Sequence, residues 1–246
     1  MNQHILKRSA SGIGLVTATL ALAACSHGAQ QTQTTAANVA SAQSETAGRL
    51  DSAAETVAQF REKIPDSVAM RANCIVVIPS MVKGGLFVGG ESGHGFASCQ
   101  TASGWSPPAP IKITGGTFGA QVGVQSMEWL ALVTSDGARR ALADGNFRLG
   151  VDASVAAGPV GSGRSASADV AGGGDVLSYS HNNEGLFAGA TLNGSVIKPD
   201  EDATVSLYGA PLDMHSILRG ETPAPQVAGT QRFIGALNAS FPSTAR

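Results

Sequence analysis

Ser92 and His94 are the nearest approach this chain makes to a nucleophile beside a base. Residues two apart on a β-strand share a face, so their spacing suits a pair, yet acyl transfer also needs a third group to orient the histidine. The sequence around them supplies none. The five histidines form no His-x-x-x-His pair, and there is no Gly-x-Ser-x-Gly elbow, Walker loop or dinucleotide glycine fingerprint. Cys74 and Cys99 stand alone rather than in Cys-x-x-Cys pairs, which removes the usual zinc ligand set. These residue types point away from an enzyme, a metal site and a cofactor. Anion chemistry remains. Lys83, Lys112, Arg139, Arg140, Arg148 and Arg164 lie in or beside turns and short elements. A guanidinium grips phosphate with two parallel bonds, and glycine-rich turns offer backbone N–H groups to an anion. They are the candidate contacts for a phospholipid head group. Trp105, followed by Ser106-Pro107-Pro108, is either a packed ring on a rigid loop or a contact with a membrane interface, where tryptophan is enriched.

Cys25 has a different setting. Lys7 and Arg8 precede an uncharged run from Ser9 to Ala24, the layout of a secretory leader and too short for an ordinary membrane-spanning helix. The run ends in Leu22-Ala23-Ala24-Cys25, which resembles the bacterial lipobox, whose cysteine is acylated, as by palmitate, and becomes the new N-terminus. Residues 1–24 are thus expected to be a signal peptide and Cys25 a lipid anchor. Ser26 is not the aspartate associated with inner-membrane retention, so the expected place is the outer membrane of a bacterial cell envelope, facing the periplasm. In an oxidising compartment Cys74 and Cys99 are either a disulfide or two buried thiols, with the compartment favouring the bridge. Such a bridge closes a loop of about 25 residues and is worth about 3 kcal/mol in the chain-entropy model. Without the leader, 14 basic residues face 18 acidic ones, a net charge of −4, which excludes a globally basic nucleic-acid binder.

The elements that must position these residues are legible in part. Residues 25–46 hold Gln, Thr, Ala, Ser and Asn with hardly a charge or large apolar group, and are expected to be a flexible tether to a domain over 47–246. Leu50, Ala53, Ala54, Val57, Phe60 and Ile64 recur at helical spacing, and Asp66 opens a second short helix after Pro65. From Cys74 the pattern turns to strands, over Cys74–Ile78, Gly84–Cys99, Ile111–Gln125 and Met127–Thr134. Glycines recur inside them, at Gly89, Gly90, Gly93, Gly95, Gly115, Gly116, Gly119 and Gly123. Glycine weakens a strand unless curvature or a close backbone approach requires it. A helix is expected over Ser135–Ala143, a strand over Phe147–Ala157 and a mobile loop over Gly158–Gly174. Further strands follow at Val176–Ser180 and Gly185–Ile197, then three helical stretches opened at Asp200, Asp213 and Pro225. The class is α+β, with a strongly curved, barrel-like antiparallel sheet and short peripheral helices.

Several motifs occur in an order that resembles the SYLF-domain family. They are Ile78-Pro79, Lys83-Gly84-Gly85-Leu86-Phe87-Val88-Gly89-Gly90, Gly93-His94-Gly95 and Gly104-Trp105-Ser106-Pro107-Pro108. Gly115-Gly116-Thr117-Phe118-Gly119 and Gly123 follow, then the run Gly150–Gly161, Tyr179-Ser180, Gly185-Leu186-Phe187-Ala188-Gly189 and Tyr208-Gly209. The resemblance covers about residues 50 to 240. It implies a lipid-binding, non-catalytic, β-rich domain, since eukaryotic members bind phosphoinositides and actin and bacterial members are mostly secreted or lipidated. Where members often carry a basic residue after Tyr-Ser, this chain has His181-Asn182-Asn183-Glu184. The expected partner is a phospholipid membrane. The alternative is a structural module that meets an envelope protein and has no lipid activity beyond its anchor.

Overall fold

The computed structural model describes residues 23–86, 88–118, 123–158, 174–182, 185–188 and 192–242, and the chain divides into two compact units, 1–40 and 41–246. In the first, the described residues are helical. Helix α1 (Ala23–Arg61) begins far earlier than its apolar stripe, so the segment expected as a tether is helix instead. Its sequence explains this. From Ala29 to Ala47 there is neither Gly nor Pro, and Ala and Gln cost little in a helix. Further along the helix, Leu50, Ala53, Val57 and Phe60 are fully buried. Pro65 interrupts the chain before α2 (Asp66–Ala69). Arg61 ties this corner together, its Nε donating to the Ser240 carbonyl at 2.6 Å and its Nη1 to that of Ile64 at 2.8 Å.

The strands are β1 (Cys74–Leu86), β2 (Val88–Thr101), β3 (Gly104–Trp105), β4 (Ala109–Phe118) and β5 (Gly123–Val133). After α3 (Asp136–Ala143) come β6 (Phe147–Arg148), β7 (Val155–Ala157), β8 (Val176–Asn182), β9 (Gly185–Ala188) and β10 (Val196–Pro199). Helices α4 (Glu201–Tyr208), α5 (Met214–Leu218) and α6 (Ala228–Ser240) close the fold. The sheet runs β6-β10-β4-β2-β1-β5-β8-β7, with β3 on β2 and β9 on β8. It is strongly curled and antiparallel except for the β7–β8 pair. The expected α+β class with a curved sheet is the observed one.

Curvature has a local cause at Pro79, which brings no N–H to the ladder. The pairing of β1 with β2 shifts register between Val77 and Ser80, a bulge of the kind that bends a strand. Gly95 lies against it: a Cβ there would sit 1.9 Å from the Val77 carbonyl oxygen, so only glycine fits. One sheet face packs Val76, Ile78, Met81, Ile111, Ile113 and Trp129 against Leu142 of α3 and Ile217 and Leu218 of α5. The other packs Ile75, Val77, Phe96, Leu130 and Tyr179 against α1 and against Phe233 and Leu237 of α6. Tyr208 and Gly209 end α4 together, the phenol donating to the Pro108 carbonyl at 2.9 Å and the glycine turning the chain at φ +74°.

The strand expected over Phe147–Ala157 is broken in two. Gly150 adopts φ +78°, and the Asp152 carboxylate accepts from the Arg148 N–H at 2.7 Å, so the chain turns on itself. Leu149 and Ala153 still point inward, but Val151 is left 64% exposed. Alternation of apolar residues was satisfied by a turn. The segment 159–173, expected as a mobile loop and holding Arg164, lies outside the described residues.

Candidate functional site

A groove of about 650 Å³ opens where α3 and α5 meet the far end of β2. Ser135 caps α3, its hydroxyl accepting from the Ala138 N–H, and the helix carries Arg139 and Arg140 to one wall. α5 leads His215 and Arg219 to the other. Asp136 and Asp144 also line it, and Cys99 lies at its base. Neither Arg139 nor Arg140 makes an ion pair among the described residues, whereas Arg219 pairs with Glu221 at 2.7 Å. The lining is therefore mixed: cations that can hold a phosphate stand beside carboxylates that can meet an ammonium group.

Cys74 and Cys99 face one another across β1 and β2 and are joined by a disulfide, which fixes the strand end under this groove. The bridge expected from the compartment is present; the register brings the two cysteines opposite each other.

Other candidates are placed differently. Lys83 is not a free surface cation. It lies directly across from Glu91, and its ammonium sits 3.0 Å from a Glu91 carboxylate that is itself almost fully enclosed and also takes the Ser195 hydroxyl. Arg148 is exposed but committed to Asp152, through its Nε at 3.3 Å and its Nη2 at 3.0 Å. That contact raises the Arg148 pKa and holds the Asp152 carboxyl below its usual range. Trp105 is a packed ring: it is 7% exposed, lies edge-on against Phe241 and donates its Nε1–H to the Phe241 carbonyl at 2.9 Å. Its ring closes the core between β3 and the end of α6.

Lys112 occupies the opposite sheet face, half-buried, between His94 of β2 and Lys198 of β10. Here the structure supplies a group that sequence reasoning missed. Asp200 lies 2.6 Å from the His94 Nδ1, and its other oxygen accepts from the Ala203 N–H to cap α4. His94 thus has its orienting carboxylate, but no hydrogen bond joins it to Ser92 among the described residues. Their Cα atoms are about 7 Å apart along an extended strand. His181, standing where relatives often carry a basic residue, is drawn to Glu128 at 3.0 Å and fixes β8 to β5.

Comparison with known proteins decides the ancestry. The family described as Ysc84, Las17-binding protein actin regulator, matches residues 114–240. This chain belongs to that family, the SYLF-domain proteins. It is 34% identical over 172 residues to the SH3 domain-containing protein PJ696.02 of Schizosaccharomyces pombe, a stretch covering 68% of this chain and 40% of that protein. Protein YSC84 of Saccharomyces cerevisiae is 33% identical over 169 residues, covering 67% of this chain and 36% of the relative. The human SH3 domain-containing YSC84-like protein 1 is 30% identical over 167 residues, covering 67% and 48%. The SYLF-type chain thus spans less than half the length of these relatives. Lys198, His215, Arg219 and Asp200 were the functional candidates that patterns did not reveal, because their meaning comes from strand register and helix packing.

Proposed function

We propose that this SYLF-domain chain is an envelope lipoprotein, anchored through Cys25, whose domain binds phospholipid head groups without catalysis. The reading rests on one observation: Arg139 and Arg140 share a groove of about 650 Å³ with His215 and Arg219 and have no ion pair among the described residues. The head-group phosphate meets the arginines, and Asp136 and Asp144 leave room for an ammonium-bearing group such as ethanolamine. The anchor supplies a second membrane contact, consistent with the general need for two signals in stable attachment. The segment between Cys25 and the core of the domain, rather than a random tether, acts as a helical spacer.

The test is co-sedimentation of residues 47–246, without the anchor, with phospholipid vesicles. Binding that weakens with salt and falls about tenfold in Arg139→Ala/Arg140→Ala is the expected result. No binding to any vesicle sinks the reading. A protein-interaction module of the envelope is the second reading, favoured by the description of its family as Las17-binding and actin-regulating. Capture of one defined envelope protein by a domain that ignores every vesicle selects it.

A further inference from the structure

Lys112 and Lys198 lie directly opposite each other in the β4–β10 ladder. Their Cβ atoms are thus about 5 Å apart on one face, and like charges so placed destabilise a sheet. Neither makes an ion pair among the described residues. Asp200, two residues beyond Lys198, is already divided between His94 and the α4 cap. His94 follows in the same row, opposite Lys112 on the neighbouring strand, with its side chain 49% exposed. One row toward the hairpin ends, the exposed Ser92 and Thr114 stand opposite each other. The helices that cover Phe96 on this face do not enclose these rows. His94 has Asp200, but the two lysines have no carboxylate partner among the described residues.

We propose that the Lys112–Lys198 pair, with His94 and Thr114 beside it, is a phosphate-binding site separate from the groove between α3 and α5. A phosphate has several acceptor oxygens and enough charge to relieve two ammonium groups at once. It sits across β4 and β10, where an anion replaces repulsion with two charge-assisted bonds. The site goes beyond the groove reading: it faces the other side of the sheet and uses none of the same residues. Its phosphate comes either from a lipid head group or from free inorganic phosphate.

Two measurements on the purified full chain carrying Cys25→Ser, which cannot take the acyl anchor, separate these sources. In the first, the thermal midpoint is compared in inorganic phosphate and in chloride at equal ionic strength. Phosphate raises the wild-type midpoint, as a ligand of the native state does, and leaves Lys112→Gln/Lys198→Gln unchanged. In the second, vesicles of phosphatidylglycerol and phosphatidylcholine are sedimented with each protein. The double variant loses roughly 10- to 30-fold in affinity, while Lys112→Arg/Lys198→Arg stays near wild type. A phosphate effect alone assigns the site to free phosphate, and a vesicle effect alone to a head group; both outcomes support it. Neither effect, in variants whose circular dichroism is native, overturns it. Loss of vesicle binding in Arg139→Ala/Arg140→Ala, with Lys112→Gln/Lys198→Gln behaving like wild type in both assays, removes this site and leaves the groove standing. The reverse result removes the groove and keeps this site.

Discussion

On the face of the sheet that carries α1 and α6, the same strands behave differently on either side of His94. Toward Phe96, the row of Val77, Phe96 and Leu130 is fully buried, and Phe96 meets Phe233 with ring centroids 5.9 Å apart. Toward the hairpin ends, the equivalent positions are Ser80, Val82, Ser92, Thr114 and Val124, with Val82 45% and Val124 80% exposed. The β2–β4 ladder is continuous through both halves, and β1 pairs with β2 on either side of its bulge. What changes is the cover: helices fill one half, and the other is lined with hydroxyls, lysines and isolated valines. A continuous strand therefore serves as core at one end and as surface at the other, and stability should divide along the same line.

The most severe break of that contrast is Phe96→Ala. Removing a fully buried ring between sheet and α6 is expected to cost about 3–5 kcal/mol, read as a lower denaturant midpoint at unchanged slope. Val82→Ala, one half of the sheet away on the same face, should stay within about 0.5 kcal/mol. Equal losses at the two positions would show that the open half is covered in solution.

The open half has its own fixed point on the reverse face, at Lys83 and Glu91. The Glu91 side chain is 1% exposed and the Lys83 side chain 14%, so the pair depends on mutual neutralisation. Lys83→Met strands a buried carboxylate and is expected to cost about 3 kcal/mol or more. Lys83→Met with Glu91→Leu should recover much of that, because both charges go together. Chemical denaturation of the two singles and the double gives the coupling directly. A double variant no better than the sum of the singles would mean that the carboxylate is stabilised by Ser195 rather than by the lysine.

This pair also marks how far the sequence could be read. Strand existence and the caps at Ser135 and Asp200 are local properties, and the apolar period and cap residues announced them. Pro79 was expected to end the first strand at Ile78, but β1 runs through it to Leu86 with only a shift of register. The curled sheet followed from glycines such as Gly95, whose need is a close backbone contact. Partnership between charges was not legible. Lys83 reads as a turn cation until the register sets Glu91 opposite it, and Lys112 reads as ordinary surface until β10 lays Lys198 alongside, some 80 residues later. For Trp105 the sequence left a packed ring and a membrane contact both open, because the acceptor of its Nε1–H, the Phe241 carbonyl, lies at the other end of the chain. The break at Gly150 was hidden because Leu149 and Ala153 face inward through a turn as they would along a strand. Helical cover over residues 25–46 was missed by weighing burial alone; propensity carries a helix there.

The smallest expected effect concerns acid. Asp175 joins the starts of β7 and β8, its carboxylate accepting from the Ser154 hydroxyl at 2.7 Å and the Ser154 N–H at 3.0 Å. Hydrogen bonds from Ser154, and next from Ser135, hold its pKa below the ordinary 3.8. A carboxyl more acidic in the folded chain than in the unfolded one stabilises the fold above the unfolded value, and that contribution fades as pH falls through the folded one. Asp175 is only partly enclosed, so solvent screening limits the contribution to less than about 1 kcal/mol. Urea midpoints between pH 5 and pH 2 should therefore fall slightly more for wild type than for Asp175→Asn, with the two converging at the acid end. Parallel curves would place the work of holding β7 on the backbone bonds alone, among them the Val176 N–H to the Ser154 carbonyl at 3.0 Å. The edge of the sheet would then depend on the ladder and not on charge, unlike the lysine-lined half across the same strands.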